Sequence, residues 1–170
     1  MPSNIEIKAR ARDFGGLRER AGKLSDAPVS ILQQEDTFFN TPQGRLKLRV
    51  LAAGRAQLIY YERADQDGPK RSDYHLFETD DPQNLKTTLT LAYGVRGVVK
   101  KTRYLYLVGQ TRVHLDHVEG LGDFLELEVV MQDGQSDSEG QAIAEDLMRK
   151  LGISRDDLLE GAYIDMLEKH

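Results

Sequence analysis

Three stretches of this chain put charges of one sign on alternate residues. Arg45, Lys47 and Arg49 are spaced two apart, as are Lys101 and Arg103, and as are Glu126 and Glu128 within Phe124-Leu125-Glu126-Leu127-Glu128-Val129-Val130. Period two places such residues on one face of a strand, with Leu125, Leu127 and Val129 on the other. Same-face neighbours lie about 6.5–7 Å apart. At an effective dielectric of ~20, each like-charge pair there costs roughly 2–3 kcal/mol before solvent and salt screen it. A solvated face mixes its signs to relieve that cost; a single-sign face implies that opposite charge is bound to it or faces it across a cavity. Asp116 shares a face with Arg112 and His114. Carboxylates are hard oxygen ligands suited to Mg²⁺ or Mn²⁺, ions that keep waters and bridge to phosphate oxygens. Cations beside a carboxylate-held divalent ion suit a polyphosphate: the cations hold its oxygens, and the metal neutralises charge building on the attacked and leaving atoms. Cross-strand salt bridges inside a barrel account for the same residues without a ligand.

The elements that must position these residues are mostly strands. Residues 4–12 alternate from the start, with Asn4, Glu6, Lys8, Arg10 and Arg12 on one face and Ile5, Ile7, Ala9 and Ala11 on the other. Asp13 is a helix N-cap for a helix through Leu24. Strands are predicted over 29–40, 45–51 and 55–63, joined by Thr41-Pro42-Gln43-Gly44 and by Ala52-Ala53-Gly54. Residues 64–72 read as a loop around Asp67-Gly68-Pro69, with Lys70 and Arg71 at a solvated tip, and Tyr74 to Phe77 as a short strand. Pro82 opens a helix ending at Tyr93 before Gly94. A hairpin over 95–108 and 111–118 leads through Glu119-Gly120-Leu121-Gly122-Asp123 into the acidic strand. Ala142, Ile143, Leu147 and Leu151 recur at helical spacing up to a C-cap at Gly152. Ser154 caps a short helix over 156–159, and a last helical turn follows at Tyr163 to Leu167. About eight strands linked by short hairpins predict an α+β fold: an antiparallel sheet curled into a barrel or tunnel, helices packed outside, in a single domain over 1–170. With helices covering the apolar outer faces, the charged faces point inward.

Composition narrows the partners. A net charge of −5 argues against a nucleic-acid backbone as the main one. The chain has no cysteine, which excludes disulfides, thiolate zinc sites and cysteine nucleophiles. No apolar run is long enough for a membrane span, and Met-Pro-Ser-Asn-Ile-Glu lacks a signal pattern, so a cytoplasmic location is expected. His75, His114, His117 and His170 show no paired zinc spacing, and His114 reads as a hydrogen-bonded strand residue. Phe38, Phe39 and Tyr60 read as core, and no adenine-specific constellation stands out.

Taken in order, Glu6-Ile7-Lys8, Asp36-Thr37-Phe38-Phe39, Gly44-Arg45-Leu46-Lys47-Leu48-Arg49, Lys101-Thr102-Arg103, His114-Leu115-Asp116, Gly120-Leu121-Gly122 and Phe124-Leu125-Glu126-Leu127-Glu128 resemble the CYTH superfamily. The resemblance spans residues 4 to 167 and is greatest to the class IV adenylyl cyclase branch, the bacterial CyaB-like proteins. It implies an eight-stranded antiparallel tunnel that binds a triphosphate with Mg²⁺ or Mn²⁺. Carried over, Glu6 and Lys8 match the end of the N-terminal Glu-x-Glu-x-Lys motif and are the implied catalytic pair. Lys8, Lys47, Arg49, Lys101 and Arg103 match the triphosphate grip, with Arg112 and Arg63 joining it. Glu6, Asp116, Glu126 and Glu128 match the metal-holding acids. Two positions depart from the pattern: Asn4 stands where the motif's first Glu belongs, and Tyr61 where a strand lysine belongs, with Arg63 on the same face as a substitute. The resemblance implies a cyclase that converts ATP to cyclic AMP and pyrophosphate, a triphosphatase acting on tripolyphosphate or thiamine triphosphate, or, given Asn4 and Tyr61, a binding module without turnover. A homodimer is compatible with the sequence.

Overall fold

The alternation read from the sequence closes into a barrel. The computed structural model describes residues 1–169, and Ala53 by its backbone alone. Its strands are β1 (Ser3–Arg10), β2 (Ser30–Phe39), β3 (Arg45–Val50), β4 (Ala56–Arg63), β5 (Lys70–Thr79), β6 (Val95–Val108), β7 (Thr111–Val118), β8 (Gly122–Val130) and the two-residue β9 (Leu158–Leu159). The helices are α1 (Phe14–Leu24), α2 (Pro82–Tyr93), α3 (Asp137–Leu151) and α4 (Tyr163–Glu168). The sheet runs β5-β4-β3-β2-β6-β7-β8-β1, and β1 returns to β5 with Asn4 opposite Ser72 and Glu6 opposite Lys70. All these pairings are antiparallel, so eight strands make a closed barrel. β9 pairs with β1 beyond β5, at Lys8 and Ala9.

Local chemistry sets the helix ends. The Asp13 side chain accepts from the Gly16 amide at the start of α1, and Asp81 does the same for Asn84 at α2. Ser136 and Glu139 form a reciprocal capping box on α3, which ends at Gly152 in the left-handed conformation. α1 and α3 cover the outer face of β1, β7 and β8: Leu17, Ala21, Ala144, Leu147 and Leu151 pack with Ile5, Ile7, Val113, Leu115, Leu125, Leu127 and Val129. Leu85 and Leu89 of α2 pack on Phe39, Leu48 and Ala56. On β1, β3, β7 and β8 the apolar half of the strand is thus buried outward under helices, which turns the charged half into the barrel. α4 closes one end, where Tyr163 and Ile164 pack with Phe38, Val99, Val118 and Phe124. Gly97 makes room for this plug, since a Cβ there would run into Ile164 Cδ1.

Two sequence expectations need correction. The loop expected over 64–72 ends sooner, because β5 begins at Lys70 and runs ten residues. Lys70 is not at a solvated tip: it is 2% exposed, and its Nζ donates to the Gln66 carbonyl at 2.7 Å and the Leu159 carbonyl at 3.4 Å. Barrel closure onto β1 imposes this, and the polar run beside Asp67-Gly68-Pro69 hides the strand's start. The short helix expected over 156–159 is a 3₁₀ turn at Arg155–Asp157 followed by β9. His170 lies outside the described residues. No helix is long and apolar enough to cross a membrane among the described residues.

Candidate functional site

The barrel encloses a cavity of about 320 Å³. Among the described residues, seven cations line it (Lys8, Lys47, Arg49, Arg63, Lys101, Arg103 and Arg112) against four carboxylates (Glu6, Asp36, Glu126 and Glu128), an excess of three positive charges. Each of these cations comes from an alternating strand whose other face is packed against a helix or the plug. Arg45, on the same face as Lys47 and Arg49, does not join them: its guanidinium donates to Asp65 and Asp165 beside the plug.

The cations have acidic partners inside the protein. Lys8 Nζ lies 3.3 Å from Glu126 Oε1 and donates to the Gly161 carbonyl at 3.2 Å. Its ammonium also sits 3.9 Å from the Tyr163 ring centroid. Arg63 donates to Glu6 Oε2 at 2.9 Å and to the Gly161 carbonyl at 2.8 Å. Arg112 donates to Glu128 Oε1 at 3.0 Å. The salt-bridge reading of the sequence is therefore realised in geometry, but it does not balance the cavity, where the cationic excess remains. Tyr61 is 7% exposed and lines the cavity, with the Lys47 ammonium 5.2 Å from its ring centroid.

Asp36 is the residue that sequence reasoning missed. Only 1% exposed, it accepts both Nε and Nη2 of Arg49 at 2.8 and 2.9 Å and the Lys101 ammonium at 2.9 Å, with Lys47 Nζ at 3.5 Å. Despite burial, Arg49, Lys101 and Lys47 hold its carboxyl well below the usual range. The signal was present: Gln34, Asp36 and Phe38 alternate inward, and Asp36 is the one acid on a face flanked by basic strands. Tyr163 was likewise read only as a helical turn, yet its hydroxyl donates to Asp116 Oδ2 at 2.8 Å.

The acids separate into two groups. One ligand atom each from His114, Glu126 and Glu128 can be chosen so that all lie within 4.8 Å of one another. His114 Nε2 is 3.6 Å from Glu128 Oε1, and no partner reaches its buried Nδ1. Burial first, then Arg103, pulls the His114 pKa down to about 4, so the ring is neutral and keeps a lone pair. Asn4 Oδ1 is also buried, unpartnered and on the cavity wall. Two carboxylates, a neutral imidazole and unpartnered acceptors nearby fit a divalent cation. His114 thus differs from the hydrogen-bonded strand residue expected from sequence. Asp116 stands outside this group: fully buried, it accepts Arg103 Nε at 2.8 Å and Nη2 at 2.7 Å besides Tyr163. Both its oxygens accept hydrogen bonds from these partners, and it orients Arg103 toward the cavity. Glu6 faces the cavity beside Glu128 across the β1–β8 ladder, outside the three-residue group. Burial, then the Glu128 charge, raises its pKa.

The crowding of cations has a pH consequence. Burial is the first cause that brings Lys47 down to about 7 and Lys101 to about 8, and Arg49 reinforces it in both. Both values lie below the ordinary 10.5. Between those values and 10.5 the unfolded chain binds more protons than the folded one, so these two lysines make stability rise with pH across that window. A polyanion in the cavity reverses the shift by favouring the charged forms. Tripolyphosphate binding at pH 8 should therefore take up protons, seen as a calorimetric binding enthalpy that varies with the ionisation enthalpy of the buffer. A buffer-independent enthalpy would show that these lysines keep their charge in the empty protein.

Fold and site together define a protein built round a charged tunnel with a cationic excess on its inner wall. The chain belongs to the CYTH family: the CYTH domain model matches residues 3–163. It is similar to the adenylate cyclase CyaB of Aeromonas hydrophila, 28% identical over 174 residues that cover 97% of this chain and 88% of that protein. Among solved structures it is similar to the PH1012 protein of Pyrococcus horikoshii OT3, with a TM-score of 0.84, 30% identity, and 95% and 98% of the two chains covered. HpAC1 from Hippeastrum, described as having a dominant triphosphatase activity, shares the fold at a TM-score of 0.65 and 17% identity, with 90% and 89% covered.

Proposed function

We propose that this protein is a divalent-metal-dependent enzyme that acts on a triphosphate, with adenylyl cyclase chemistry as the leading reading. The observation that carries the reading is the excess of three positive charges inside a closed barrel of a chain whose net charge is −5. Such an excess is costly in an empty cavity and is relieved by a multivalent anion. Similarity to CyaB along nearly the whole chain favours the cyclase.

In that reading Lys47, Arg49, Lys101 and Arg103 hold the phosphate oxygens, and Asp36 and Asp116 fix the geometry of the two arginines. Glu126, Glu128 and His114 would hold Mg²⁺ or Mn²⁺, which when bound neutralises charge on the phosphate oxygens. The ribose 3′-oxygen attacks the α-phosphorus in line. A new P–O bond closes the cyclic phosphodiester as the α–β bridging bond breaks, and pyrophosphate leaves with that electron pair. Glu6 Oε1, the oxygen not bonded by Arg63, takes the hydroxyl proton, a role that its raised pKa suits. Lys8 faces the developing charge from the plug end.

The second reading is a triphosphatase, favoured by the described activity of HpAC1 on the same fold. There water attacks the terminal phosphorus instead. Incubation with Mn²⁺ and ATP, tripolyphosphate or thiamine triphosphate separates the readings by product. Cyclic AMP with pyrophosphate is the expected result; orthophosphate released from the chain end supports the hydrolase. Saturable binding with no product leaves a binding module and ends the enzymatic reading.

A further inference from the structure

The barrel wall is uneven at the end away from the plug. β3 stops at Val50, opposite Glu35, but β2 continues back to Ser30 and stays paired with β6 as far as Leu105. This overhang carries Leu32, Gln34 and Leu105 on its inner face, and Leu51 and Gln57 continue the same arc; all five line the cavity. Each stands next to the phosphate grip. Gln34 is opposite Lys101, Leu32 opposite Arg103, and Gln57 opposite Arg49, while Leu105 and Leu51 lie two residues beyond Arg103 and Arg49 on their own chain segments. Two residues along a strand is about 6.5–7 Å.

A phosphate chain has no use for this arc, because leucine side chains offer its oxygens nothing. The Gln34 side chain is only 7% exposed, and its Oε1 is buried without a hydrogen-bond partner. A buried amide oxygen left unpaired costs free energy until a ligand donates to it. An apolar arc with one unsatisfied amide, adjoining a cationic grip, matches a planar head group with a polar edge joined to a phosphate chain. We propose that the β2–β6 overhang is the subsite for the nucleobase of a nucleoside triphosphate, with the Gln34 amide on its hydrogen-bonding edge and Leu32, Leu51 and Leu105 against its faces. This inference rests on the triphosphate reading above. It makes Gln34 a specificity-determining residue that separates nucleotides from inorganic tripolyphosphate.

The test is equilibrium binding of ATP and of tripolyphosphate to the full chain, with EDTA present so that turnover does not intervene. The wild-type protein should bind ATP about tenfold or more tightly relative to the affinity its phosphate chain alone achieves, taken from tripolyphosphate. Gln34→Leu should bring that ratio down by about tenfold, and Leu105→Ala should move it the same way by a smaller step. A wild-type ratio near one, or a ratio that neither substitution moves, overturns the subsite while leaving the triphosphate site standing. Failure of both ligands to bind in EDTA, and of tripolyphosphate to bind when Mn²⁺ is restored, overturns the triphosphate reading as well.

Discussion

Asp36→Asn should lower the stability of the empty protein by about 3–5 kcal/mol, the range for removing one partner of a buried ion pair. Asp36 is the one carboxylate that Arg49, Lys101 and Lys47 all approach, and it is 1% exposed. Its loss strands three cations. The two lysines can shed protons, since Lys47 titrates at about 7 and Lys101 at about 8 even with Asp36 present. Arg49 cannot. The deficit should therefore be larger at pH 6 than at pH 9, which denaturant titrations at the two values would measure. Added tripolyphosphate replaces the missing negative charge and should restore about 2.7 kcal/mol at a hundred times its Kd. A deficit below about 1 kcal/mol, or one indifferent to pH, would mean that solvent already compensates these cations and that Asp36 is no hub.

That residue also marks the limit of what the chain discloses by itself. Period-two patterns located β1, β3, β6, β7 and β8, and Asp13, Pro82 and Gly152 gave helix ends. Burial of one strand face under helices then dictated that Lys47, Arg49, Lys101, Arg103, Glu126 and Glu128 meet inside. Pairing across the barrel was not legible. Asp36 reaches Lys101 from 65 residues away, and Tyr163 reaches Asp116 from 47 away; register and closure decide both contacts. The same blindness hid Lys70, whose strand exists because β1 needs a closing partner. It also hid that Asp116 meets Arg103 and Tyr163, while Glu126 clusters with His114 and Glu128.

Glu128→Gln should weaken Mn²⁺ binding by at least about 10–100-fold, the loss that even an outer-shell change commonly brings at a metal site. Turnover should fall at least as far. Glu128 is a cleaner probe than Glu126. Glu126 is 3.3 Å from the Lys8 ammonium and 3.6 Å from Arg103, both almost fully buried, so its neutralisation also strands two charges. Glu128 instead accepts from Arg112, whose side chain is 38% exposed and can turn to solvent. Of its further neighbours, His114 is neutral down to about pH 4 and loses no ion pair, and Arg103, whose charge also favours the carboxylate, keeps Asp116 as its two-point partner. Stability without metal should therefore change by less than about 1 kcal/mol in Glu128→Gln, whereas Glu126→Gln should lose more. Mn²⁺ titration by electron paramagnetic resonance, set beside thermal melts of the metal-free proteins, reads both quantities. If Glu128→Gln binds Mn²⁺ as the parent does, the acid pair with His114 is not the metal site, and Glu128 serves only to hold Arg112 on the tunnel wall.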